Sequence, residues 1–135
     1  MAIEISGKGI LVLLLIIAAI FLFFSTLYSS DIFIPEKIYT ASIEPMTPNE
    51  AKEYLRETDA LIIDCNSCKC TYNSYHILDA VWLSNASLLY DTNKDVLVYS
   101  NSPSRTLEFC NQLKGNITGR ICYLPGGYEE WIGQN

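Results

Sequence analysis

The chain has 135 residues, of which 15 are acidic and 9 basic, and its formal net charge is −6. This length is sufficient for one domain and a short additional segment. The basic residues form neither a patch nor a stripe interleaved with aromatic residues, so the sequence argues against a nucleic-acid partner and against adsorption to anionic lipid.

A long apolar segment follows a short N-terminal flank, residues 1–9. Apolar residues continue without interruption from Ile10 to Phe24, and Tyr28 ends the segment. As a helix, residues 10–28 span about 28 Å, which is close to the thickness of the hydrocarbon core of a bilayer. We therefore expect a transmembrane helix. The alternative, a buried core helix, would find no partner in so small a domain.

This helix is predicted to be a retained signal anchor. It is longer than the apolar region of a signal peptide, and the residues after it form a poor cleavage site, so cleavage is the less favoured alternative. Lys8 precedes the segment, whereas Asp31, Glu36 and Lys37 follow it. The positive-inside rule then predicts that the domain lies on the extracytoplasmic side of the membrane.

Residues 29–37 are predicted to form a juxtamembrane linker, and residues 38–135 a single domain. A first strand is expected over Ile38–Ile43. The segment Thr47–Glu50 predicts the start of a helix, because a threonine cap, a proline at the first helical position and a glutamate three residues after the cap form a capping box.

The middle of the chain is predicted to hold two strands separated by a long loop. The short apolar run Ala60–Asp64 is typical of a buried strand in a parallel sheet. A polar, cysteine-rich loop continues to Tyr75. A third strand is expected over Ala80–Leu83, followed by a short helix over Ala86–Tyr90.

The most apolar strand, Val96–Tyr99, leads into the polar loop Ser100–Arg105 and then into a helix predicted over Thr106–Lys114. Ile121–Leu124 is the last predicted strand, and a terminal helical turn carries Trp131. The apolar face of the helix is expected to contain Leu107, Cys110 and Leu113.

This order of elements predicts an α/β fold, with a mostly parallel five-stranded sheet flanked by helices. Ligands of such sheets bind beyond the carboxyl ends of the strands, where Ser100 lies. Loop amides, the helix N-terminus and an arginine can converge on an anion there, although Pro103 supplies no amide. The predicted anion-binding loop contains Ser100, Asn101, Ser102, Ser104 and Arg105.

Four segments, in this order, resemble the rhodanese (sulfurtransferase) family. They are Leu61-Ile62-Ile63-Asp64, Tyr75-His76-Ile77-Leu78-Asp79-Ala80, Ser100–Arg105 and Leu124-Pro125-Gly126-Gly127-Tyr128-Glu129-Glu130-Trp131. The resemblance implies a rhodanese-like domain without a cofactor. Ser100 occupies the position of the family's nucleophilic cysteine. The other departures from the family pattern are Asn66, Tyr75, Leu78, Asp79 and Pro103.

The serine determines the expected function. Sulfur transfer in this family stores sulfur on a thiolate, so the resemblance implies a domain that is inactive as a sulfurtransferase. A serine nucleophile needs a base, but His76, the only histidine, is expected to be a scaffold residue. Ser100 is then expected to cap the helix that follows. We expect a membrane-anchored domain that binds a small anion or a protein partner at the Ser100–Arg105 loop.

A phosphatase is less favoured, because related phosphatases also need the loop cysteine and have a loop that is one residue longer.

The cysteine-rich loop leaves an alternative open. Cys65, Cys68 and Cys70 lie close together, and outside the cytoplasm this spacing favours a disulfide. The alternative function is a sulfurtransferase or thiol oxidoreductase that uses Cys68 or Cys70, with Lys69 between them favouring a thiolate.

A metal site is not predicted, because no second closely spaced cysteine pair accompanies this loop. Cys110 and Cys122 are expected to be small apolar residues of the core.

Overall fold

The structure, a computed structural model, describes residues 6–28, 36–40 and 42–133. The chain divides into two compact units, Met1–Glu36 and Lys37–Asn135. In the first unit, helix α1 spans Gly7–Tyr28 and so begins before the predicted Ile10. Its segment Gly7–Thr26 has a mean hydropathy of 2.8 and none of it is buried, so α1 is long and apolar enough to span a membrane. Most of the predicted linker, residues 29–37, lies outside the described residues.

The second unit contains one five-stranded sheet. Its strands are β1 (Ile43–Pro45), β2 (Leu61–Asp64), β3 (Val81–Trp82), β4 (Val96–Tyr99) and β5 (Ile121–Tyr123). They lie in the order β1-β5-β4-β2-β3. Each of these neighbouring pairs is parallel. The predicted α/β fold is therefore confirmed, with a sheet that is parallel at every described pairing.

Three helices and one 3-10 turn connect these strands, and a fourth helix follows β5. They are α2 (Pro48–Glu57), α3 (Lys69–Ser74), the 3-10 turn Ala86–Leu89, α4 (Pro103–Leu113) and α5 (Gly127–Gly133). The predicted capping box of α2 is present, because the Thr47 side chain accepts from the Glu50 amide and the Glu50 carboxylate accepts from the Thr47 amide.

The core has one cluster on each face of the sheet, and β4 contributes to both. Val96 and Val98 pack with apolar residues of α4 and the 3-10 turn. Leu97 and Tyr99 pack on the other face, with residues of α2 and α5. All four residues of β4 are buried, as expected for a central strand of a parallel sheet that helices cover on both sides. Cys110 and Cys122 are buried in these clusters, as predicted.

The prediction of the first strand was wrong in its position. The sheet begins only at Ile43, and residues 38–40 form no strand; Ala41 lies outside the described residues. The Thr40 amide donates to the Ile117 carbonyl at 2.6 Å, and the Thr40 carbonyl accepts from the Gly115 amide at 2.7 Å. The backbone of Thr40 is therefore bonded to the connection between α4 and β5 rather than to a strand.

The loop before Tyr75 was also predicted incorrectly, because it contains the short helix α3. Helix α4 begins at Pro103 rather than at Thr106, since the Ser102 side chain caps it by accepting from the Arg105 amide at 3.4 Å. Ser100 is therefore not the cap. The buried face of α4 contains Thr106, Phe109, Cys110 and Leu113, whereas Leu107 is exposed.

Candidate functional site

The residues predicted to be functional lie beyond the carboxyl ends of the parallel strands. Ser100 follows β4, and Asn66 lies two residues beyond the end of the neighbouring β2. The strands are in register with Asp64 beside Tyr99. The Cys65 amide continues the pairing by donating to the Tyr99 carbonyl at 3.0 Å. This register brings the connections that follow the two strands into direct contact.

Ser100 is only 3% exposed and its hydroxyl is fully engaged. The Ser100 Oγ lies 2.8 Å from both the Ser102 carbonyl oxygen and the Thr106 Oγ1, and it accepts from the Ser102 amide at 3.2 Å. These partners are hydroxyl, carbonyl and amide groups, and the protonated Cys65 thiol also hydrogen-bonds with Ser100. None of them can act as a base toward a serine nucleophile. The environment of Ser100 is therefore that of a structural hydroxyl.

The loop amides that were predicted to bind an anion already donate within the protein. The Asn101 amide donates to the Asn66 Oδ1 at 2.9 Å. The Ser102 amide donates to Ser100, and the Arg105 amide to the Ser102 hydroxyl. Pro103 has no amide proton. The anion-binding loop stays a prediction, with three of its donors engaged.

The Arg105 side chain donates to the backbone of two other connections and is not directed over its own loop. Its Nε donates to the Cys65 carbonyl at 2.5 Å, and its Nη2 donates to the Ser84 carbonyl at 3.2 Å. These bonds join the first turn of α4 to the segments after β2 and β3. An anion would have to compete with two carbonyl acceptors for this guanidinium.

Asn66 links the connection after β2 to the connection after β4, a role that its sequence pattern does not predict. Its amide N–H and its side-chain Nδ2 both donate to the Asp64 Oδ1, at 2.9 and 2.8 Å. Its Oδ1 accepts from Asn101, and its carbonyl accepts from the Trp82 indole at 2.9 Å. The proximity of Asn66 to Ser100 follows from the pairing of β2 with β4, which the sequence alone does not specify.

Asp64 is completely buried, and its Oδ2 has no hydrogen-bond partner among the described residues. It lies near the buried Tyr99 phenol, which accepts from the Ile77 amide at 3.0 Å. Burial raises the pKa of the Tyr99 phenol, and the negative charge of Asp64 raises it further. Tyr99 is therefore a neutral phenol at physiological pH.

The cysteine-rich loop contains a disulfide between Cys68 and Cys70, with a Cα–Cα distance of 5.1 Å. Both cysteines are exposed, and Cys68 caps α3 by accepting from the Cys70 amide at 3.1 Å. The Lys69 ammonium lies 5.8 Å from the centre of the Trp82 ring.

Cys65 belongs to a different environment from the other two cysteines of the loop. It is fully buried and has no disulfide partner. Burial raises the pKa of its thiol to about 11, although hydrogen bonds with Ser100 and Thr106 and the charge of Arg105 lower it. The nucleophile in sulfur chemistry is the thiolate, so a neutral, buried thiol at this position is poorly suited to such a role.

His76 has the scaffold position that the resemblance implied. Its Nδ1 lies 2.8 Å from the Tyr72 carbonyl, and its ring stacks on the Tyr72 ring at a centroid distance of 4.0 Å. Within residues 6–28, 36–40 and 42–133, no cluster of three or more His, Cys, Asp or Glu side chains could hold a metal ion.

The outer rim of the site contains two tyrosines in tilted ring contact and a glycine that lies close to the Ser100 backbone. Tyr75 and Tyr128 have ring centroids 4.8 Å apart, and the Tyr75 hydroxyl accepts from the Asn101 Nδ2 at 2.9 Å. Gly127 has a φ of +61°, and a Cβ at this position would lie 2.4 Å from the Ser100 carbonyl oxygen. Only glycine permits both this conformation and this contact.

Comparisons with known proteins agree with this architecture. Residues 47–134 match the rhodanese-like domain family. The chain is similar to the crystal structure of the Alr3790 protein from Anabaena sp., with 22% identity and a TM-score of 0.57 over 70% of this chain and 78% of that one. It is also similar to the solution NMR structure of the rhodanese-like domain of that protein, with 22% identity and a TM-score of 0.53 over 73% and 76% of the two chains. No curated protein matches the chain in sequence. Because the family match covers more than half of its residues, this chain belongs to the rhodanese-like domain family.

Proposed function

We propose that this protein is a non-catalytic, membrane-anchored rhodanese-like domain that binds a protein partner at the carboxyl edge of its sheet. The observation that carries the proposal is the bonding of Ser100. Its hydroxyl is buried and engaged by Ser102 and Thr106. A hydroxyl at this position cannot hold the transferable sulfur that the family's cysteine holds.

The same edge favours a protein partner over a small anion. Three loop amides donate to side chains of the site, and the Arg105 guanidinium donates to two carbonyl groups. Asn101, Ser104 and Tyr75 remain exposed, and Tyr128 is half-buried beside them. Tyrosine together with short polar side chains is the combination that antibodies use in their binding loops, because it gives contact area at a low cost in conformational entropy.

The first test asks whether the loop transfers sulfur. The full chain, reconstituted in lipid nanodiscs, is incubated with thiosulfate and cyanide, and thiocyanate is measured beside a protein-free control. We expect no turnover above that control and no persulfide by intact-mass spectrometry. Thiocyanate formation that depends on residues 100–105 would overturn the proposal.

The second test asks whether the edge meets a partner. A photo-crosslinking amino acid is introduced at position 101 or 104, and the protein is crosslinked in cell membranes. The matched control position is Asn93, an exposed asparagine in the turn before β4. We expect the same crosslinked protein from positions 101 and 104 and none from position 93. Equal crosslinking from position 93, or no product from either loop position, would contradict a partner at this edge.

The membrane part of the proposal is supported by the length and hydropathy of α1. An extracytoplasmic domain is supported by Lys8 in the first turn of α1 and by the Cys68–Cys70 disulfide, because disulfides persist in oxidising compartments. A protease added to intact cells is expected to cleave the domain, and a permeabilised sample gives the matched control. Cleavage only after permeabilisation would place the domain in the cytoplasm.

A second candidate function is thiol–disulfide exchange, which the exposed Cys68–Cys70 disulfide favours. A thiolate of a dithiol substrate would attack one sulfur, forming a mixed disulfide and releasing the other cysteine as a thiolate. The second substrate thiol would then displace the bound cysteine, so that the substrate leaves oxidised and the cysteines are both reduced.

The test of this candidate is the oxidation of a reduced dithiol peptide by the full chain. We expect Cys70→Ser to abolish it and the buried Cys122→Ser, the matched control, to retain it. If the disulfide stays oxidised in reducing glutathione buffers, it has a structural role and the candidate fails.

A further inference from the structure

A groove lies beside β3, on the face of the sheet that α2 and α5 cover. Its volume is about 420 Å³, which falls within the range of roughly 300–1,000 Å³ that is typical of small-molecule sites. Its apolar lining comes from α2, β2, β3, α5 and the segment before β3. It includes Leu55, Ile62, Ile77, Leu78, Val81 and Trp131.

The groove is open because of the sheet order. β3 is an edge strand of two residues that pairs only with β2. Leu78 is 81% exposed and Val81 48% exposed, so most of the Leu78 surface and about half of the Val81 surface face solvent. Ile77, between them and the core, is buried. The groove therefore has a fixed apolar floor and an apolar rim that is left uncovered.

Two of the three charged residues that line the groove are cations, although the protein as a whole has a net charge of −6. Lys52 and Arg56 lie one helical turn apart on α2, and both line the groove. The Lys52 ammonium lies 5.1 Å from the centre of the Trp131 ring and 3.5 Å from the Trp131 carbonyl oxygen. Among the described residues, the Arg56 guanidinium has no hydrogen-bond or ion-pair partner. Asp79 is the one carboxylate in the lining, and no ion pair joins it to either cation.

We infer that this groove binds a small monocarboxylate with an apolar body. The carboxylate contacts Arg56 and Lys52, because a guanidinium and an ammonium ion one turn apart can share its two oxygens. The apolar body covers Leu78, Val81 and Trp131. The groove shares no residue with the Ser100–Arg105 loop, so the inference does not depend on the proposed function.

The experiment uses 4-phenylbutanoate as the probe and its neutral analogue 4-phenylbutanamide as the matched ligand. The full chain in nanodiscs is titrated while its two tryptophan indole N–H signals are followed by NMR. Trp131 lines the groove, whereas the Trp82 indole is bonded to Asn66 and reports non-specific effects. We expect a saturable shift of the Trp131 signal, no shift of the Trp82 signal, and about fivefold weaker binding of the amide.

Two variants and a control separate charge from shape. Arg56→Gln is expected to abolish the preference for the acid over the amide, whereas Lys114→Gln, which removes an exposed charge at the end of α4, leaves it unchanged. Leu78→Glu places a carboxylate on the exposed rim and is expected to abolish binding of the acid. The inference is overturned by equal affinities for acid and amide, by a preference that survives Arg56→Gln, or by the absence of a saturable Trp131 shift.

Discussion

Replacing Gly127 by alanine tests the close approach of Gly127 to the Ser100 backbone at the candidate site. The φ of +61° costs a non-glycine residue about 1 kcal/mol. The new Cβ would also lie 2.4 Å from the Ser100 carbonyl oxygen, about 1 Å closer than an optimal non-bonded contact. That oxygen belongs to the backbone and cannot rotate away, so the loop after β4 has to move. We expect Gly127→Ala to lower the free energy of unfolding by about 3 kcal/mol.

Gly115→Ala is the matched control for this measurement. Gly115 also has a positive φ, of +80°, but a Cβ there would meet nothing within 4 Å. Gly115→Ala is therefore expected to lower the free energy of unfolding by only about 1 kcal/mol, the cost of the backbone conformation. Urea unfolding of the full chain in nanodiscs, followed by tryptophan fluorescence, gives both values. Equal losses for the two variants would show that Gly127 makes no such contact with Ser100 and would refute the reasoning.

Three further predictions concern the cap of α2, the buried thiols and the loop. Thr47→Ala is expected to lower the free energy of unfolding by about 1 kcal/mol, because it removes the acceptor for the Glu50 amide. Burial raises the pKa of the Cys65, Cys110 and Cys122 thiols to about 11, about 12 and about 11. Unfolded thiols lose their protons near pH 8.5, so the contribution of these thiols to the free energy of unfolding should be constant below that pH and fall by about 1.4 kcal/mol per thiol for each pH unit above it. Ser100→Cys is expected to form no persulfide with thiosulfate in intact-mass spectra, because the position is buried and the nearby amides are engaged.

Each of these predictions has a control and a contradicting result. Ser42→Ala changes a hydroxyl outside α2, so it should leave stability unchanged, and a loss equal to that of Thr47→Ala would remove the argument for the cap. Unfolding midpoints in urea that do not change between pH 8 and pH 10.5 would show that the three buried thiols are not shielded from solvent. A persulfide on the introduced thiol at position 100, with none in the unaltered chain, would mean that the loop still accepts sulfur and lacks only the thiol.

The fold was predictable because the strands and helices differ clearly in their apolar patterns. The apolar runs of β2 and β4 and the capping box of α2 are local signals, and each predicted its element correctly. The first strand was predicted incorrectly because the pattern of residues 38–43 suits a strand, whereas the Thr40 backbone bonds to Ile117 and Gly115. Such a choice of partners depends on tertiary structure and leaves no local signal.

The position of the Ser100–Arg105 loop at the carboxyl edge of the sheet was predictable, but its hydrogen bonds were not. Ser100, Ser102 and Ser104 are all reasonable helix caps in sequence, and only the backbone geometry selects Ser102. The role of Asn66 depends on a contact with Asn101, which is 35 positions away in the chain. The orientation of Arg105 toward the Cys65 carbonyl depends on the same pairing of neighbouring strands.

The bonds of Asn66 and Arg105 have a consequence for how quickly and how tightly the proposed partner would bind. Asn66 hydrogen-bonds the connection after β2 to the one after β4, and Arg105 hydrogen-bonds α4 to the connections after β2 and β3. A surface held in this way has little conformational freedom left to lose when a partner arrives, so more of the contact free energy appears as affinity. Its backbone should differ little between the free and bound states. Association should then proceed without a slow rearrangement of this domain, and any folding upon binding would have to occur in the partner.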